Sequence, residues 1–256
     1  ITPLIIKQEV EINPGPYAKT AFNGIKNEFE GALNKRILIS FDYGPSTSVE
    51  VSPMAFAIMK QVLLTGNEVH TMALFDSGLG VTKTVKDQIL RDNDLLIKFK
   101  SKEKIENKII ELGYASGSEA VIKGMLTKIS DTYPEAPKNI KNLCDYDFIV
   151  SLSSGNPGTV QWIMFAGDQA EAECGKKINL TTGVTAVQAT ESIPYVSTGQ
   201  LVGMLPGLAG AASYEKLMDY EGDATQKMPS QSWAHLLIVF LIIVGNMTYF
   251  LMNREK

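Results

Sequence analysis

From Trp233 to Met252 the chain runs twenty residues, WAHLLIVFLIIVGNMTYFLM, without an Asp, Glu, Lys or Arg. At ~1.5 Å rise per residue such a run forms a helix ~30 Å long, the thickness of a bilayer's hydrocarbon core. The residues before it are therefore expected to form a folded body held at a membrane, with 219–232 (DYEGDATQKMPSQS) as the linker between them. Cytoplasmic flanks of membrane helices carry an excess of Lys and Arg. Here Arg254 and Lys256 follow the span, whereas Lys216 and Lys227 are scattered among Glu215, Asp219, Glu221 and Asp223 before it. That bias predicts a cytoplasmic tail at 253–256 and a body on the outer side. Its alternative is a tail-anchored protein whose body faces the cytoplasm. Because the sequence opens on Ile1 and not Met, a signal segment or a first membrane helix is expected before it.

A net charge of −4 argues against nucleic acid as a partner, since phosphate backbones call for a basic face. The two cysteines, Cys144 and Cys174, form no disulfide framework by count, and spacing does not say whether they pair.

Residues 1–15, with Pro3 and Pro14, read as an extended lead-in. From Tyr17 to Leu33 apolar residues recur every three or four positions, as on one buried helix face. Next, Ile37 to Phe41 is a short branched run closed by the turn cluster Asp42 to Thr47. Ser52 and Pro53 are expected to open a helix that Gly66 ends, and Glu68 to Phe75 is a second strand. Strand, helix, strand at this length is a βαβ unit with a right-handed crossover. After a helix over 81–90, the stretch Phe99 to Leu112 shows a thin helical stripe at Ile105, Ile109 and Leu112. Its lysines suit either an anionic lipid surface or a solvated helix face diluted by Glu103, Glu106 and Glu111. The strand–helix rhythm resumes with Asp147 to Leu152, with a helix capped by Asn156 and opened by Pro157, and with Lys177 to Thr181. The pattern predicts an α/β body over 16–218: a doubly wound, mostly parallel sheet of the flavodoxin or Rossmann-like three-layer type, followed by the membrane helix.

Ligands of such sheets bind beyond the carboxyl ends of the strands. Those ends offer Asp42, Ser46, Ser153, Ser154, Asn156 and Thr182, small polar residues near helix N-termini that could receive a carboxylate or phosphate. Turn and cap chemistry alone also accounts for them. No catalytic residue stands out. P-loop and dinucleotide fingerprints are absent, Ser151 to Gly155 lacks the leading glycine of a nucleophile elbow, and a Ser-His-Asp site would depend on His70 alone. Metal-ligand spacing is absent too, and nothing implies a cofactor. Two features point to partners. Gly199, Gly203 and Gly207 recur every four residues, as on a helix face open to close approach, although packing against the sheet is the plainer reading. Gly245 and Asn246 interrupt the apolar span, and an amide in lipid favours a hydrogen-bond partner on another helix.

The phrases Ile37 to Tyr43, Ser151 to Gly158, Gly183 to Ala186 and Tyr195 to Gly203 resemble a family of uncharacterised bacterial membrane-anchored proteins, over roughly residues 1 to 218. The resemblance implies a bacterial inner-membrane setting and an extracytoplasmic domain, and carries over no activity. The expectation is a non-enzymatic subunit, a binding or assembly component of a larger membrane complex whose surroundings are other membrane proteins and the lipid bilayer. The alternative is a ligand-binding or hydrolytic domain that uses the strand-end crevice.

Overall fold

A computed structural model describes residues 11–253; the first ten residues of the expected lead-in and the tail Arg254 to Lys256 lie outside the described residues. The chain forms six strands, β1 (Arg36–Asp42), β2 (Glu68–Ala73), β3 (Ile109–Tyr114), β4 (Phe148–Ser153), β5 (Asn179–Val184) and β6 (Met204–Pro206). They make one all-parallel sheet in the order β3-β2-β1-β4-β5-β6. That is the doubly wound α/β architecture expected from the alternation of elements, and the order in which strands are added reverses between β1 and β4.

Successive side chains of a strand point to opposite faces, which sorts the core into two layers. Ile37, Ile39 and Phe41 of β1, with Phe148, Val150 and Leu152 of β4, pack on one face against helices α1 (Pro16–Phe29), α2 (Ser48–Thr65) and α3 (Gly78–Ile89). Two short helices, α4 (Asn93–Phe99) and α5 (Lys102–Glu106), add Leu95 and Ile105 to that layer. Leu38, Met72, Ile149 and Leu180 point to the other face, covered by α6 (Ser118–Thr127), α7 (Thr159–Trp162), a π-helical turn over Ile163–Gly167, and α8 (Asp168–Cys174). Helix α9 (Ala189–Ser197) leads to β6, and α10 (Gly207–Leu217) returns to the first face. Cys144 and Cys174 are joined in a disulfide that ties the turn before β4 to the end of α8.

Several local expectations need correction. The Phe99 to Leu112 stretch is not a single helix: α5 ends at Glu106 and β3 begins at Ile109. Only Ile109 of that strand is buried, so an edge strand without clean alternation passes for a weak helical stripe. The first turn of α2 starts at Ser48, four residues before Ser52, because a 3-10 turn at Pro45–Thr47 runs straight into it. Helix α7 opens at Thr159, not at Pro157; Asn156 and Pro157 form a cis peptide in the preceding turn. Gly199, Gly203 and Gly207 share no helix. Gly199 follows α9 in a turn with φ 77°, Gly203 precedes β6, and Gly207 opens α10. The need for glycine at 203 is internal, since a Cβ there would lie 2.3 Å from the Ala21 amide nitrogen of α1. The expected linker is largely helical: only Met218 to Gly222 separate α10 from α11 (Asp223–Asn253), a single 31-residue helix.

Candidate functional site

The carboxyl ends of β1 and β4 meet where the strand order reverses, and Asp42 and Ser153 are register partners there. Thr182 of β5 lies one strand further on, beside Ser151. Three of the six residues expected in the crevice are thus brought together, and all three are buried. The Ser40 hydroxyl lies 2.8 and 2.7 Å from the two carboxylate oxygens of Asp42, and the Leu74 N–H and Trp162 Nε1–H donate to them at 2.8 and 3.1 Å. Burial pushes the Asp42 carboxyl up to about 6, while the bonds from Leu74, Ser40 and Trp162 pull the other way. The Ser153 hydroxyl lies 3.0 Å from the Gly155 carbonyl and 3.3 Å from Gln188 Oε1. The Thr182 hydroxyl donates to the Ser151 carbonyl at 2.8 Å and also meets Thr159 Oγ1.

These bonds form a polar seam at the sheet's carboxyl edge, with the fully buried Trp162 bonded to Asp42 within it. A buried network whose members are satisfied rigidifies a fold, and here it commits the Asp42, Ser153 and Thr182 side chains to internal partners. Ser46 and Asn156 are exposed and Ser154 half-buried, each on the loops above. Beside them lies a small cavity of about 250 Å³ lined by Asn156, Thr159, Gln161, Gln188 and Ser192. The Gln161 side chain accepts from the Gly158 N–H at 2.9 Å and shapes its floor. Trp162, Gln161 and Gln188 had no sequence signal beyond the rarity of tryptophan, of which the chain has two.

His70 belongs to the core. Its Nδ1 lies 3.0 Å from the Tyr146 hydroxyl, and burial lowers it to about 4, so the ring is neutral near pH 7. Asp92 and Asp94 share Lys60, at 2.9 and 2.6 Å. Ser213, four residues after Ala209 in α10, donates to the Ala209 carbonyl. Among the described residues no three His, Cys, Asp or Glu side chains gather as a metal would need.

A larger cavity, about 690 Å³, lies at the opposite layer, between α2, α3 and the junction of α10 with α11. From that junction Asp223 to Phe250 forms a helix long and apolar enough to cross a membrane, with a mean hydropathy of 1.8 over its most apolar stretch, none of which is buried. Leu236, Ile238, Phe240 and Ile242 are all more than half exposed on it, and Gly245 has no heavy atom within 4 Å of where a Cβ would stand. Asn246 is exposed on the same helix. Comparison with protein-family models, with curated proteins and with solved structures gives no match, so the likeness to a bacterial membrane-anchored family rests on its phrases alone.

Proposed function

We propose that the chain is a membrane-held, non-enzymatic subunit, a binding or assembly component of a larger membrane protein complex, with its α/β domain on the extracytoplasmic side. The observation that carries this reading is the contrast between the two ends of the molecule. Asp42, Ser153 and Thr182 are committed to internal bonds, Asp42 with the buried Trp162, whereas α11 presents a long column of uncovered apolar side chains. Polar side chains bonded to one another are poorly free for chemistry, and an uncovered apolar surface of this extent calls for lipid or partner. Asn246, an amide in the middle of that surface, suits a hydrogen bond to another membrane helix. The Cys144–Cys174 disulfide supports the outer side, because such bonds persist in oxidising compartments.

The test is purification of the full chain from its native membranes in mild detergent. The expected result is a particle larger than the monomer with stoichiometric partners, and Asn246→Leu loosens it without unfolding the domain. A stable monomer with nothing co-purifying overturns the proposal.

A further inference from the structure

We propose that the cleft between the domain and the root of α11 binds a cationic amphiphile, a small molecule with an amine head and an apolar body. The cleft holds about 690 Å³, the size of pockets that enclose drug-sized ligands. Its apolar side is formed by Val49, Pro53 and Phe56 of α2 and Val81 of α3, and Val49 is 55% exposed although it stands beside a packed core. An aliphatic side chain left open inside a concave wall is a ready contact for an apolar body.

The polar side is acidic. Asp92, Glu215, Glu221 and Asp223 line it, against one lining cation, Lys227. Lys227 pairs with Asp223 at 3.0 Å, and Asp92 pairs with Lys60 at 2.9 Å, so two of the four carboxylates, Glu215 and Glu221, have no cation among the described residues. Glu215 is held by N–H and O–H donors of Ala224 and Thr225, and Glu221 is exposed. On the same wall, burial raises the pKa of the Tyr220 phenol well above the ordinary value, and the neighbouring Glu215, Asp92 and Asp223 raise it further. An anionic head would meet this excess of negative charge at short range, whereas an ammonium would neutralise it.

The position of the cleft supplies the amphiphile. Lys227 lies six residues before Trp233, or ~9 Å along a helix at ~1.5 Å per residue, so the opening lies near the level where the apolar column begins. Only this source of ligand rests on the membrane reading of α11; the lining stands without it.

The experiment uses the full chain in phosphatidylcholine nanodiscs, titrated calorimetrically with octylamine, octanol and octanoate against empty nanodiscs. Entry of the chain into the discs tests the membrane reading separately from binding. Saturable 1:1 binding of octylamine is expected, at least tenfold tighter than octanol, with octanoate weaker still. Val49→Trp, which fills the cleft, and Glu221→Lys, which reverses its uncompensated charge, should each weaken octylamine at least tenfold without shifting thermal unfolding. If Val49→Trp does not fold, Glu221→Lys, at an exposed position, decides alone. Equal binding of the three heads, uptake no greater than by empty discs, or unchanged affinity in Glu221→Lys overturns the proposal.

Discussion

Asp42 and His70 bury ionisable side chains on one face of the sheet, and burial shifts them in opposite senses. The folded-state carboxyl of Asp42 titrates at about 6 against an ordinary 3.8. Its contribution to stability is full below the unfolded value and is lost as pH rises through about 6, because the folded chain then holds an ion without a countercharge. His70 titrates at about 4 against 6.5, so its contribution is full above 6.5 and is lost as pH falls towards 4. At ~1.4 kcal/mol per pKa unit each shift is worth about 3 kcal/mol. The two slopes therefore oppose and nearly cancel between pH 4 and 6. Single substitutions should separate them. In Asp42→Asn the unfolding free energy should rise with pH across that window, and in His70→Gln it should fall, each relative to the parent protein under the same denaturant series. Parallel pH profiles for the two variants would contradict the assignment. Asp42→Asn should also lose ~1–3 kcal/mol near pH 5, since Leu74 and Trp162 donate to different oxygens of Asp42 and the amide nitrogen would face one of these two donors.

At the scale of elements, the join between α10 and α11 is the feature most dependent on single groups. A helix start leaves its first N–H groups without partners. Here the carboxylate of Glu215, on α10 and buried, supplies them from outside the helix, accepting from the Ala224 and Thr225 amides at 2.9 and 2.7 Å and from the Thr225 hydroxyl at 2.7 Å. Gly222 is required beside it, for a Cβ there would stand 2.4 Å from a Glu215 oxygen. Glu215→Ala should free the root of α11. Amide exchange at Ala224 and Thr225 should quicken at least tenfold and the domain should lose ~1–3 kcal/mol, both readable by hydrogen-exchange mass spectrometry in nanodiscs. Protection unchanged at those two amides would show that the cap contributes nothing. Such a cap is invisible in the sequence around residue 223, and the same limit explains what could be read elsewhere. Strands β1 and β4 are legible because each is a branched apolar run closed by turn residues, and β2 from its branched residues, whereas β5 (Asn179–Val184) lies further along than the expected Lys177 to Thr181 because its Thr-Thr-Gly reads locally as a turn. Neither β3 nor β6 carries that signal: β3 buries only Ile109, and β6 is three residues held by pairing with β5. Asp42 and Ser153 are legible as strand ends, but Trp162, which donates to Asp42, lies 120 residues away along the chain. The acidic cleft is assembled from α2, α3 and the α10–α11 join, and no single stretch contains enough of it to be noticed.

At the scale of the whole molecule, the domain and the apolar helix form one piece, since only Met218 to Gly222 intervene and Ala224 and Met228 of α11 pack into the core of the first layer. A body mounted this closely has one side committed to the helix and its surroundings, and the other layer, on the far face of the sheet, carries the Cys144–Cys174 bond. That bond makes the proposed orientation testable without altering the chain. A disulfide that closes a loop of this length contributes ~2–4 kcal/mol and persists only where thiols are not kept reduced. If the domain lies outside the cytoplasm, a thiol-reactive polymer added to denatured, unreduced membranes should leave the chain unshifted on a gel, and prior reduction should add two labels. Cys144→Ser should leave Cys174 open to a single label and lower the unfolding midpoint of the domain in proportion to the lost constraint. Two free thiols in freshly quenched cells would instead place the domain in a reducing compartment and reverse the orientation of α11, with the acidic cleft then opening towards the cytoplasmic leaflet.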